Sequence, residues 1–115
     1  MPDTCLFCRI VAGEIPATVV HETAETLAFR DINPRAPSHI LVIPRRHIAS
    51  IDALGPGDQE LAGRLLLVAG EIARQERFAA RGYRVVSNIG DWGGQTVDHL
   101  HLHLMGGRSF EWPPG

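Results

Sequence analysis

The chain has 115 residues, 44% of them hydrophobic, with 11 Lys and Arg against 13 Asp and Glu for a formal net charge of −2. That length suits one domain whose core needs no disulfide staples, and the balanced charge argues against the cationic surface that a nucleic acid or an anionic membrane requires. No apolar stretch is long enough to cross a bilayer, and Met1-Pro2-Asp3 opens on an acid where a secretory leader carries basic charge, so a cytoplasmic protein with small-molecule partners is expected.

Taken in order, Leu6 to Gly13 places Phe7, Ile10 and Val11 at helical spacing with Gly13 as a stop, which predicts a short N-terminal helix. Thr18 to Glu22 and Thr26 to Asp31 are β-prone and form a predicted hairpin. After the turn Asn33-Pro34-Arg35-Ala36-Pro37, the apolar run His39 to Ile43 reads as a buried strand closed by Pro44. Gly55-Pro56-Gly57 breaks the chain again, and Asp58 is placed to cap one long helix running to about Ala80. Its stripe Leu61, Leu65, Val68 and Ile72 faces the sheet. The run Leu65 to Val68 is wider than that stripe needs, so it implies either a second chain or a deeply seated helix. Tyr83 to Ser87 and His99 to Met105 are two further strands, joined through Gly90-Asp91-Trp92-Gly93-Gly94. The expected product is an α+β domain over residues 1–115, about five mostly antiparallel strands with one long helix, and a tail at about 108–115. His21 and the arginines at 45, 46, 74, 77 and 81 read as solvated surface.

In His99-Leu100-His101-Leu102-His103-Leu104 polar and apolar residues alternate strictly, the period of a strand with one buried face. On such a strand the three imidazoles share one face, about 6.6–6.8 Å apart between alternate residues. A helix would bury His101 among leucines. A single outward histidine needs no special reason, but strand faces ordinarily carry Thr, Lys, Glu or Arg, so three imidazoles behind a glycine-rich loop imply chemistry. Two chemistries compete: a three-histidine catalytic zinc with one position open to water, or one imidazole attacking phosphorus while its neighbours donate to phosphate oxygens. The preceding loop favours the second, because its glycines let backbone N–H groups approach an anion and Asn88, Gln95 and Thr96 add neutral donors.

Cys5 and Cys8 form a CxxC. In a reducing compartment that spacing is a metal half-site or a redox pair before it is a bridge, although the βαβ setting of a redox motif is missing. A tetrahedral zinc site would need two more nitrogen or oxygen ligands; two free buried thiols are the plainer reading. Asp31, between Phe29 and Ile32 at a strand end, needs a partner or water.

The segment Gly94-Gln95-Thr96-Val97-Asp98-His99-Leu100-His101-Leu102-His103-Leu104-Met105 resembles the HφHφHφφ motif of the histidine triad (HIT) superfamily. The likeness extends through Cys5-Leu6-Phe7-Cys8, Gly13-Glu14-Ile15-Pro16, Phe29-Arg30-Asp31-Ile32, Pro37-Ser38-His39, Pro44-Arg45-Arg46-His47-Ile48, Gly82-Tyr83-Arg84 and Gly106-Gly107-Arg108. The ending Trp112-Pro113-Pro114-Gly115 is similar to the nucleotide-binding, phosphoramidase branch.

The resemblance implies a HIT-like fold that dimerises and a hydrolase releasing a nucleoside monophosphate from a purine nucleoside 5′-phosphoramidate. His101 would be the nucleophile, its other ring nitrogen held by a backbone carbonyl, with Thr96 and His103 stabilising the phosphate and relaying a proton, and His39 lining the same pocket. Asn88, Gln95 and Thr96 would hold phosphate oxygens, Asp31 the ribose hydroxyls, and Leu6, Phe7, Ile10, Phe29 and Ile32 the purine, although the apolar residues also read as ordinary core. His47 and His99 would complete a structural Zn2+ site with Cys5 and Cys8, and no metal would be needed for chemistry. The implied partners are AMP or GMP and their phosphoramidates, and a second copy of the chain. The alternatives are a nucleotide-binding regulatory module with weak catalysis acting through a protein partner, and a zinc hydrolase using all three triad histidines.

Overall fold

The apolar run closed by Pro44 becomes the middle strand of a five-stranded antiparallel sheet. This computed structural model describes residues 4–115, so the Met1-Pro2-Asp3 opening lies outside the described residues. Helix α1 (Leu6–Val11) leads into strands β1 (Val19–Glu22), β2 (Thr26–Arg30) and β3 (Ser38–Pro44), then helix α2 (Gln59–Gln75) and strands β4 (Arg84–Val86) and β5 (Leu102–Gly106). The strand order is β1-β2-β3-β5-β4. No helix among the described residues is long and apolar enough to cross a membrane.

The period-two alternation of side chains gives the sheet two different faces. Ala28, Ile40, Val42, Leu102 and Leu104 pack against the α2 stripe of Leu61, Leu65, Val68 and Ile72. Each of those helix residues contributes about 1.5–3 kcal/mol on burial. On the opposite face Leu27, Phe29, Leu41 and Ile43 pack against Phe7 of α1. Strand β3 is therefore buried on both sides, which explains its unbroken apolar run. Leu41 pairs with His103 and His39 with Met105, so His39 and His103 lie on the α1 face, away from the long helix.

Several expectations are corrected. Helix α2 ends at Gln75 rather than near Ala80. The N–H of Phe78 bonds the Ala73 carbonyl and that of Arg77 the Arg74 carbonyl, with Arg77 at φ 68°. That is a Schellman stop, hidden in the sequence because an arginine occupies the position glycine ordinarily takes. The Asp58 side chain does not cap α2; it accepts from Gly55 N–H at 2.9 Å across the 3₁₀ turn Pro56–Asp58 and pairs with Arg46. His21 is not solvated, since its side chain is only 13% exposed with Nε2 3.1 Å from Glu71. A register shift between Val19 and His21 turns it against α2. Strand β5 begins at Leu102, not His99. Leu66 and Leu67 remain 63% and 61% exposed.

Gly106 shows how tightly the helix end seats on the sheet: a Cβ there would lie 2.3 Å from Phe78 Cδ1 and 2.7 Å from Cε1. Phe78 is itself buried. Gly106→Ala should therefore destabilise the fold by about 1–3 kcal/mol, read as a lower urea midpoint at unchanged slope. An unchanged midpoint would show that the Phe78 ring yields freely.

Candidate functional site

The ladder between β3 and β5 stops at Val42 and Leu102, and the path of the chain beyond it is set by Pro44, which has no N–H to offer. Its carbonyl instead accepts from His99 Nε2 at 2.8 Å, while Leu100 N–H bonds the Ile48 carbonyl. The stretch 99–101 thus leaves the sheet, and the three imidazoles do not form the evenly spaced row expected of one strand face. Each ring goes to a different task.

His99 is fully buried, and because Nε2 donates to Pro44, its Nδ1 lone pair points toward Cys5 Sγ at 3.4 Å and Cys8 Sγ at 3.5 Å. His47 Nδ1 lies 3.2 Å from Cys8 Sγ. The donor atoms of Cys5, Cys8, His47 and His99 all lie within 4.8 Å of one another, a group able to hold a metal ion. Burial, followed by the neighbouring Cys5, pushes the Cys8 thiol up to about 11. Two sulfurs and two imidazole nitrogens gathered this closely are a donor set that fits a metal ion, and Cys5 Sγ additionally caps α1 by accepting from Cys8 N–H. All four sequence-predicted ligands are brought together.

His101 sits beside this group without joining it. Its Nδ1 lies 2.7 Å from the His99 carbonyl; a carbonyl only accepts, so Nδ1 carries the proton and Nε2 keeps the lone pair. The ring is held edge-on by Phe7 at 5.1 Å and lies 5.0 Å from His103, while Ser87 Oγ donates to the His101 carbonyl. His101 is only 4% exposed, with Nε2 on the side of the ring opposite the Nδ1 hydrogen bond.

His103 belongs to a relay that the sequence did not disclose. Arg35 N–H donates to His39 Nδ1 at 3.0 Å, so His39 Nε2 carries the proton and donates to His103 Nδ1 at 2.9 Å. His103 Nε2 is then left as a donor. Asp31 lies 3.5 Å from the same His39 nitrogen, and Asp31 Oδ1 accepts from Asn33 N–H at 2.8 Å. Arg108 holds the Arg35 carbonyl and with it the Arg35 turn. The donor atoms of Asp31, His39 and His103 are also close enough for an ion, but the proton fixed on His39 Nε2 occupies the position a metal would need. The three triad rings do not converge on one point, which removes the three-histidine zinc arrangement.

The loop before the triad is braced from within. Gln95 Oε1 accepts from Gly90 N–H at 2.9 Å, and its Nε2 donates to the carbonyls of Ala49 at 2.7 Å and Val97 at 3.0 Å. Asn88 Nδ2 donates to the Gly93 carbonyl at 2.7 Å. A Cβ on Gly93 would stand 2.1 Å from the Ile89 carbonyl oxygen, so only glycine closes this turn. Thr96 is exposed beside it. Of the apolar residues expected at the purine, Phe7 and Phe29 are core, Ile10 is half-buried, Leu6 is exposed and Ile32 is 92% exposed.

Residues 12–110 match the family model of the HIT domain. The chain belongs to the HIT family. An uncharacterised HIT-like protein of Synechococcus elongatus is 51% identical to it over 115 residues, 100% of each chain. A HIT family hydrolase of Legionella pneumophila is 53% identical, with a TM-score of 0.95 over 97% of this chain and 100% of that one. A histidine triad protein of Clostridium difficile is 41% identical, with a TM-score of 0.90 over 93% of each.

Within this HIT chain, burial comes first and the His101 and His39 charges second in pressing His103 down to about 4 from an ordinary 6.5. Burial likewise lowers His39 and His99. A depressed histidine favours folding only while it is neutral, so its contribution is complete above pH 6.5 and is lost as pH falls from 6.5 toward 4. Urea unfolding between those values should show stability falling faster for wild type than for His103→Asn. Parallel curves would contradict the assignment.

Proposed function

We propose that this HIT protein hydrolyses purine nucleoside 5′-phosphoramidates, releasing the nucleoside monophosphate through a nucleotidyl intermediate on His101. The observation that carries this reading is the His101 ring, with Nδ1–H tied to the His99 carbonyl and the lone pair kept on the opposite nitrogen. That is the tautomer a phosphorus-attacking imidazole needs. The Nε2 lone pair forms the N–P bond, the P–N bond to the amine breaks, and the positive charge on the substituted imidazole is held by the His99 carbonyl. The departing amine takes its proton from the exposed Thr96 hydroxyl, which recovers one from solvent water. His103 Nε2–H, fixed as a donor through His39, faces developing negative charge on the phosphate oxygens. Water then displaces the imidazole from phosphorus and delivers its hydroxyl oxygen to the monophosphate.

For the nucleoside, Asp31 offers carboxylate oxygens to the ribose hydroxyls, and the outward Ile32 and Leu6 supply an apolar surface to the base, above the Phe7 and Phe29 floor. AMP and GMP are the expected products. The exposed Leu66 and Leu67 support a homodimer.

The metal is proposed to be zinc. Bond lengths of about 2.3 Å to sulfur and about 2.0–2.1 Å to nitrogen at tetrahedral angles separate those donors by about 3.5 Å, and three of the four sulfur–nitrogen pairs here span 3.2–3.5 Å. With all four positions filled by side chains, zinc would supply structure: it fixes α1 and the His99 ring.

Turnover of an adenosine 5′-phosphoramidate should fall by at least about 10³-fold in His101→Ala with AMP affinity retained. Full activity in the variant would overturn the nucleophile. Negligible turnover in wild type that still binds AMP would favour a regulatory binding module. Purified wild type should carry close to one zinc per chain and the Cys5→Ser and Cys8→Ser variants far less, with lower melting temperatures. Less than about half a zinc per wild-type chain would contradict the site.

A further inference from the structure

The chain from the His99 carbonyl to the His101 ring is short, and the bond that closes it depends on the backbone torsions of Leu100 and His101 as well as on the ring itself. That stretch is fastened on both sides. Before it, Leu100 N–H bonds the Ile48 carbonyl at 2.6 Å. After it, the His101 carbonyl accepts from Ser87 Oγ at 3.1 Å. The first bond runs from backbone to backbone and needs no particular side chain. The second exists only because residue 87 carries a hydroxyl.

Ser87 stands where ordinary pairing has run out. The ladder between β4 and β5 ends with Val86 opposite His103, and β5 itself begins at Leu102. His101 thus lies just outside the sheet, beyond the repeating bonds that hold a strand to its neighbours. Ser87 is half-buried directly after β4, and its hydroxyl carries the junction between the two strands one step further. The glycine-rich loop starts from the same residue, since Asn88 follows it and braces that loop through the Gly93 carbonyl. One hydroxyl therefore joins the base of the loop to the backbone of the central histidine.

Taking the hydrolysis proposed above as the reaction, we propose that Ser87 is a positioning residue for it: by holding the His101 carbonyl, it keeps Nδ1–H on the His99 carbonyl and Nε2 aimed at phosphorus. Ser87 touches no reacting atom. Its influence is through aim, and a displacement of about 1 Å in a reacting group costs about 10²-fold in rate. The effect falls on the chemical step rather than on nucleotide binding, because the residues assigned to the nucleoside lie on α1 and around the end of β2.

The test compares metal-loaded wild type with Ser87→Ala and Ser87→Thr. With an adenosine 5′-phosphoramidate, Ser87→Ala should lose about 10- to 100-fold in kcat with KM held within about two-fold, and Ser87→Thr, which keeps a hydroxyl, should recover to within about three-fold of wild type. Without substrate, the ¹⁵N signals of His101 should move in Ser87→Ala from the fixed Nδ1–H pattern toward an average of the two tautomers, and stay fixed in Ser87→Thr. A serine that only supported the fold would lower the melting temperature in Ser87→Ala and leave kcat and the His101 signals as in wild type, which would overturn the proposal. Equal losses in the two variants would overturn it as well. The spectral arm needs no turnover: a wild type that fails to hydrolyse the compound, while Ser87→Ala still shifts the His101 signals, would reject the hydrolase reading and support the hold of the serine on the ring.

Discussion

The 2.7 Å bond from His101 Nδ1 to the His99 carbonyl is the contact on which the proposed chemistry rests. It settles which nitrogen of the central imidazole carries hydrogen, and so which one keeps the lone pair. The residue that accepts it is bound at its other end, its ring reaching Pro44 through one nitrogen and the two cysteines through the other. A single residue therefore ties the metal-competent group to the proposed nucleophile. The arrangement gives such a metal a positional role: its loss would loosen the His99 backbone and with it the aim of His101, without removing any group that touches substrate.

The fold supplies the division of labour. One face of the sheet is filled by α2 and is mostly apolar, with the His21–Glu71 pair beside it. The other carries α1, the cysteines and the imidazoles, so the polar cluster is built without competing with the main core. Strand β3 holds both faces together, and the proline that ends it frees a carbonyl just where the chain of the triad departs from the ladder. His39 reaches the site from the opposite end of the same strand, linked to His103 across the sheet by a hydrogen bond at 2.9 Å.

Much of this was legible in the residues. The burial of β3, the helical stripe, the antiparallel sheet and the four ligands of the Cys and His group are readable from periodicity, composition and the family motif. What was not legible depends on backbone detail. The departure of 99–101 from strand geometry turns on hydrogen bonds to Pro44 and Ile48, which have no signature in residue types. The His39–His103 relay depends on the Arg35 amide, whose position is set by a turn. A one-residue register shift buried His21, and an arginine in a left-handed position hid the end of α2. Gln95 and Asn88 carry the amide groups expected of a phosphate cradle, yet here both brace their own loop, and only the glycine at 93 could have signalled how tight that loop is.

The most direct measurement of the central claim is the ¹⁵N NMR signature of the imidazoles in the metal-loaded protein near neutral pH, with His101 assigned. The account predicts that His101 Nδ1 is the protonated, pyrrole-type nitrogen and Nε2 the unprotonated, pyridine-type one, with the opposite pattern at His99, whose Nε2 holds the hydrogen. A His101 ring protonated on Nε2 alone, or one bound to metal, would contradict it.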